Sequence, residues 1–216
     1  MDCCQCEGLE LETRKWAVED LEAYRAGKLD ETTRMLIAAL IGLGAQGRDL
    51  LDIGGGIGAI QMRLLDAGAK TATSVDASTA YLDVAREEAG RAGLADRITY
   101  HHGDFVALAG DIPEADIVTL DRVICCYPDF RSLVSLSAAK ARKYYGLVYP
   151  RTRAVLKFGL AILNLGYRLR RSPFRTFVHP TSVVEALLHQ NGLVQVYRRT
   201  TFFWQILVYE RISPSG

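Results

Sequence analysis

Asp52, Gly54, Gly56 and Gly58 alternate through the stretch 49–64, DLLDIGGGIGAIQMRL. Residues 49–53 read as a short apolar strand, 54–58 as a tight glycine turn, and 59–65 as the start of a helix. A strand running through such a turn into a helix brings a small ligand against bare backbone, because no Cβ stands in the way. Two patterns fit. Gly54, Gly56 and Ala59 match the dinucleotide spacing G-x-G-x-x-A, whereas Asp52 with Gly54, Gly56 and Gly58 gives D-x-G-x-G-x-G and adds a carboxylate to the turn.

Further polar residues follow the ends of later strands. Residues 71–75 predict a second strand that ends at Asp76, 22 residues after Gly54, where a carboxylate accepts from ribose hydroxyls and disfavours a 2′-phosphate. Ala77 follows it. A third strand, 98–101, leads to Gly103-Asp104-Phe105, a carboxylate and a ring suited to an adenine, while His101 and His102 read as strand ends without chemistry. A fourth strand, 115–120, leads into Asp121, Arg122, Cys126 and Tyr127. Residues beyond the carboxyl ends of strands line the ligand crevice of open α/β sheets, so substrate chemistry is expected there. Tyr24, Thr33 and Arg34, ahead of the first strand, are candidates to close over the ligand.

The remaining elements must position these groups. Helices are expected over 11–26, 30–43 (with Asp30 or Thr32 as cap), 81–92 and 130–143, and a fifth strand over 146–149. Residues 152–171 carry apolar side chains around most of a helix with basic residues at both ends. They are read as a lid over an apolar substrate, a helix lying on a membrane, or a buried helix. Ser182 and Glu185 make a capping-box pattern, and the strands 193–199 and 201–211 are joined by almost no loop, hence antiparallel.

The chain has 216 residues, 49% hydrophobic and 24% charged, which suits one globular domain with a small appendage. Its net charge of +1 hides an asymmetry: residues 130–184 carry eleven basic and no acidic residues, leaving the rest at −10. Such a positive surface suits an anionic acceptor or an anionic membrane face. The longest apolar run, 154–167, is broken by Lys157 and Asn164 and is shorter than the ~20 residues of a spanning helix. The polar N-terminus and five cysteines, an odd number, point to a cytoplasmic protein with reduced thiols. Cys3, Cys4 and Cys6 have poor spacing for zinc, and no metal site is expected. No nucleic-acid-binding motif is visible.

The D-x-G-x-G-x-G turn, Asp76, Gly103-Asp104-Phe105 and the closing hairpin together resemble class I S-adenosylmethionine (SAM)-dependent methyltransferases. The stretch LLDIGGGIGAIQMRLLDAGA, the Tyr127-Pro128 pair and the segment from Tyr149-Pro150 to Ser172-Pro173-Phe174 are similar to the magnesium-protoporphyrin O-methyltransferase branch. That branch has a histidine where this chain has Cys126, so an acceptor of its own is expected. The resemblance implies a Rossmann-like α/β fold with a seven-stranded, mostly parallel sheet, a C-terminal antiparallel hairpin and helices on both faces. Residues 1–29 would form a cysteine-containing segment and helical cap, and 30–211 the SAM-binding domain with a basic, apolar insertion at about 150–175. It further implies SAM held by Arg34, Asp52, Gly54, Gly56, Gly58, Asp76, Ala77, Asp104, Phe105, Asp121 and Arg122. Tyr24, Asp121, Cys126 and Tyr127 are candidates for positioning or proton transfer to a small anionic, aromatic or apolar acceptor. The alternatives are a thiolate metal or redox sensor on a SAM fold, and a NAD-dependent oxidoreductase.

Overall fold

The computed structural model describes residues 10–172 and 174–212. In chain order the elements are α1 (Glu10–Arg25), α2 (Glu31–Gly42), β1 (Asp49–Ile53), α3 (Ala59–Asp66), β2 (Thr71–Asp76), α4 (Thr79–Arg91), β3 (Ile98–His102), α5 (Phe105–Leu108), β4 (Ala115–Asp121), α6 (Phe130–Lys140), β5 (Ala141–Pro150), α7 (Ala154–Leu169), α8 (Thr181–Gln190), β6 (Leu193–Thr200) and β7 (Trp204–Arg211). The strands form one sheet in the order β3-β2-β1-β4-β5-β7-β6. β7 runs antiparallel to β5 and β6, and the pairs on the other side of β5 are parallel. The chain steps outward from β1 to β3 and then crosses back to β4. This puts the topological switch point, where α/β sheets bind ligands, between β1 and β4.

Adjacent strand residues feed opposite faces, as the two-residue period of a strand requires. Leu51, Val118, Tyr145 and Leu207 pack with Val134 and Leu188 on one side. Leu50, Ile117, Tyr144 and Val208 pack with Leu36, Leu40 and Met62 on the other.

Three local expectations change in the fold. The helix expected over 130–143 stops at Lys140, and β5 starts at once at Ala141. The Arg142 guanidinium bridges Asp49 and Asp116 at 3.1 and 3.0 Å, and Tyr144 and Tyr145 pair with Ile117 and Val118, so sheet contacts override the last helical turn. The capping box at Ser182 and Glu185 does not form. α8 begins at Thr181, two residues before the start that box would set, and Thr152 Oγ1 accepts from the Thr181 N–H at 3.1 Å in place of a local cap. Asp30 occupies the N-cap position of α2 without a capping bond, because its carboxylate pairs with Arg122.

α1 is fastened across α4. Glu88, whose side chain is 1% exposed, accepts from Arg25 Nε at 2.9 Å and is gripped by Arg91. The Tyr81 hydroxyl donates to Asp20 Oδ2 at 2.8 Å. Hydrogen bonds from Arg91, then Arg25, hold the Glu88 carboxyl at about 2, against an ordinary 4.5. Because the folded value is depressed, this stabilisation is complete above about pH 4.5 and is lost as pH falls toward 2. Glu88→Gln is expected to lower stability at pH 7 by about 2 kcal/mol in urea unfolding. Its deficit should shrink at pH 3; equal midpoints at pH 7 would remove Glu88 as the anchor of α1.

Candidate active site

At the switch point a cavity of about 500 Å³ opens beyond the C-terminal ends of β1, β2 and β4. The turn from β1 to α3 forms its floor. Gly54, Gly56 and Gly58 take φ values of +64°, +54° and +79°, which side chains resist. A Cβ on Gly54 would stand 2.5 Å from Val123 Cγ2, and one on Gly55 would collide with Gln61 Nε2 and reach Asp52 Oδ2 at 2.7 Å. The backbone is therefore bare toward the cavity because its flanks are already full.

Three buried carboxylates surround this turn. Asp52 is 1% exposed; its Oδ1 accepts from Thr119 Oγ1 at 2.6 Å and its Oδ2 from Gln61 Nε2 at 3.1 Å. Burial pushes its carboxyl up to about 7, with those hydrogen bonds pulling the other way. Asp76 takes the Gly56 N–H at 3.0 Å and the Ser78 N–H at 2.9 Å, so it ties the turn to the end of β2. Burial raises its carboxyl too, against those N–H groups. Asp121, at the end of β4, accepts from Thr33 Oγ1 at 2.5 Å. Its buried Oδ1 has no hydrogen bond among the described residues, although Arg122 Nε lies 3.3 Å away, and burial raises this carboxyl as well. Dry carboxylates with an unsatisfied oxygen suit a ligand bearing positive charge and hydroxyl donors.

The rest of the wall comes from distant segments. Asp104 caps α5 through the Val106 N–H and receives the Tyr127 hydroxyl at 2.8 Å on both oxygens. Phe105 lines the cavity while 97% covered by the core. Tyr24, Asp30 and Thr33, from the segments ahead of β1, and Trp16, Cys126, Tyr127 and Phe174 also line it. Burial raises the Tyr24 phenol. The Cys126 sulfur lies 3.7 Å from that of Cys125, whose hydrogen bond draws Cys126 below the ordinary thiol range.

Residues 50–141 match a family model described as a methyltransferase domain. No curated protein matches the chain. Among solved structures, the magnesium protoporphyrin IX methyltransferase of Synechocystis PCC 6803 with bound SAH superimposes with a TM-score of 0.69 at 21% identity, over 84% of this chain and 83% of that one. An O-methyltransferase family 2 protein of Planctomyces limnophilus, in complex with apigenin, gives 0.61 at 20% identity, over 85% and 62%. A Pyrococcus horikoshii protein provisionally described as an RNA methyltransferase gives 0.62 at 18%, over 85% and 83%. The fold is the Rossmann-like class I methyltransferase fold, with six parallel strands and the antiparallel β7.

Tyr24, Asp52, Gly54, Gly56, Asp76, Ala77, Asp104, Phe105, Asp121, Arg122, Cys126 and Tyr127 all line one cavity. Gly58 shapes the turn behind it. Arg34 does not belong there: α2 turns Thr33 inward, and the next residue, about 100° around the helix, is exposed. Cys3, Cys4 and Cys6 lie outside the described residues. The sequence reading missed Gln61, Thr119, Tyr81, Asp20 and Trp16. Gln61 and Thr119 sit between apolar neighbours and are fully buried, and a buried polar side chain in such a run is the signal that marks them.

Gly54→Ala is expected to cost about 2–3 kcal/mol, from the left-handed backbone and the Val123 contact. Gly56→Ala, which meets only Tyr81 at 3.7 Å, should cost about 1 kcal/mol. Urea unfolding checks the order, and a reversed one would sink this account of the turn.

Proposed function

We propose that the acceptor of this SAM-dependent methyltransferase is a small molecule with an aromatic or apolar body and an anionic group, bound against the Trp16–Phe174 ring pair and Tyr127. The observation that carries the reading is a cavity lining that combines buried carboxylates around a glycine turn with aromatic side chains, which we read as an acidic end and an aromatic end. At the acidic end the residues fit SAM. Asp76 would take ribose hydroxyls, Asp104 and Phe105 the adenine, and Asp52 the cationic parts. When bound, SAM supplies an electrophilic methyl on a sulfonium. The aromatic end supplies apolar surface, with Lys28 on the cavity wall to meet an anion.

The chain's contribution is alignment and exclusion of water, which together are worth up to about 7–11 kcal/mol when reacting atoms are held in line. A carboxylate or thiolate acceptor needs little base, whereas a hydroxyl acceptor needs one. Asp121 suits that task, since its raised carboxyl lies at the end of β4 with one oxygen unbonded. Tyr127 spends its hydroxyl on Asp104 and is a positioning residue on this reading. Cys126, drawn toward thiolate beside Cys125, and the neutral Tyr24 phenol are the other groups placed to hold the acceptor.

The methyltransferase family match and the hairpin do not favour the NAD reading. The thiol-sensor reading rests on Cys3, Cys4 and Cys6, outside the described residues. Nucleic acid is not the expected acceptor, because the sequence carries no nucleic-acid-binding motif.

Calorimetry should show micromolar SAM and SAH binding and none for NADH, and a methyl-transfer screen should favour aromatic acids and phenols over RNA. Transfer to RNA alone would overturn the acceptor class. Asp76→Ala should weaken SAM binding at least about 100-fold and, by orphaning two N–H groups, cost about 1–3 kcal/mol of stability; unchanged affinity would refute its assignment to ribose. The Asp52 carboxyl is raised to about 7, and a cationic ligand favours its charged form. Affinity should therefore rise with pH up to about 7, with proton release below it, and Asp52→Asn should flatten that dependence.

A further inference from the structure

The helix α7 stands with its apolar side outward. Val155, Phe158, Ile162, Leu165 and Leu169 are between 55 and 76% exposed, and of the whole helix only Leu156 is buried. Plain burial, one of the readings of this segment, is therefore not what the fold shows. Nor does α7 line the cavity; Phe174, which follows it, does. The five side chains recur at three- and four-residue steps and fall within about 80° of helix surface.

This orientation is held from the other side. Asn164 donates to the Thr176 carbonyl at 2.7 Å and accepts the Thr176 N–H at 2.9 Å, and Tyr167 packs edge-on against Phe174 with ring centroids 5.3 Å apart. The stripe is thus presented outward rather than left over from loose packing. Near its start Phe202 is 67% exposed, with the Arg153 guanidinium 5.4 Å over its ring.

Charge identifies what covers the stripe. Lys157, Arg168, Arg170 and Arg171 are exposed and form no ion pair among the described residues, and no acidic residue occurs between Asp129 and Glu185. Two copies meeting through this face would bring like charges together. An anionic bilayer offers apolar depth to the stripe and counter-charge to its flanks. No helix among the described residues is long and apolar enough to cross a membrane, so the contact is with the surface.

We infer that α7 docks this protein on an anionic lipid surface, with Val155, Phe158, Ile162, Leu165 and Leu169 inserted at the interface and the basic residues on lipid headgroups. The inference is independent of the methyl acceptor.

The test is co-sedimentation of the full chain with phosphatidylcholine vesicles, with and without about a third phosphatidylglycerol, near 0.1 and 0.5 M salt. Partitioning at least about tenfold stronger to the anionic vesicles, and falling at the higher salt, is expected. Phe158→Ser/Ile162→Ser/Leu165→Ser should abolish it while leaving SAM binding and the far-ultraviolet spectrum unchanged. Lys157→Gln/Arg168→Gln/Arg170→Gln/Arg171→Gln should weaken it at least about tenfold, and it decides the matter if the apolar variant does not fold. No sedimentation, or equal sedimentation with neutral vesicles, overturns the inference. So does a lipid-free dimer that the apolar variant converts to monomer, since the stripe would then be a protein interface.

Discussion

The carboxylate of Asp52 is buried at the point where β1 and β4 part, and a charge or carboxyl there is costly unless every oxygen is bonded. Thr119 on β4 and Gln61 on α3 supply those bonds, and Gln61 also donates to Ser74 on β2 at 2.9 Å. Asp52 and Gln61 together thus link three strands and the helix after the turn. The cavity floor follows from this network. The Gln61 amide and the Asp52 carboxylate occupy the volume a Cβ on Gly55 would need, so the turn admits no side chain at that position.

The opposite wall depends on a second set of contacts, across the turn after β4. Arg122 adopts a positive φ of 61°, unusual for a residue with a side chain, and its guanidinium is held by Asp30 on the approach to α2. The same turn is gripped from the far end of the chain. The Phe177 N–H donates to the Cys125 carbonyl at 2.7 Å, and the buried His179 ring reaches the Ile124 carbonyl at 2.7 Å while stacking on Phe130 at 3.9 Å. Burial lowers the His179 pKa, so it serves here as a neutral strut. Asp121, Cys126 and Tyr127 are therefore positioned by three remote segments, a rigidity that suits a reaction whose rate comes from alignment.

α1 and α7 show two outcomes for amphipathic helices added around the same sheet. α1 is anchored by the buried Glu88 and contributes Trp16 and Tyr24 to the cavity. α7 is anchored through Asn164 and leaves its apolar stripe in solvent. The difference is legible in their charges: α1 mixes both signs, whereas α7 has basic residues only.

Local pattern determined a great deal here. The glycine spacing after an apolar strand, the carboxylates after the second, third and fourth strands, and the abrupt junction before Trp204 suffice for the fold and for most of the cavity, because backbone conformation and strand-end position are properties of short stretches. Tertiary contacts decided the rest. Lys140 ends a helix because Tyr144 and Tyr145 pair better with β4, and Arg34 faces solvent because its neighbour Thr33 faces Asp121. Gln61 and Thr119 matter because Asp52 is buried beside them. Each of these depends on which residues share a dry volume, and pairings between elements, up to 88 residues apart, leave no periodicity in sequence to read.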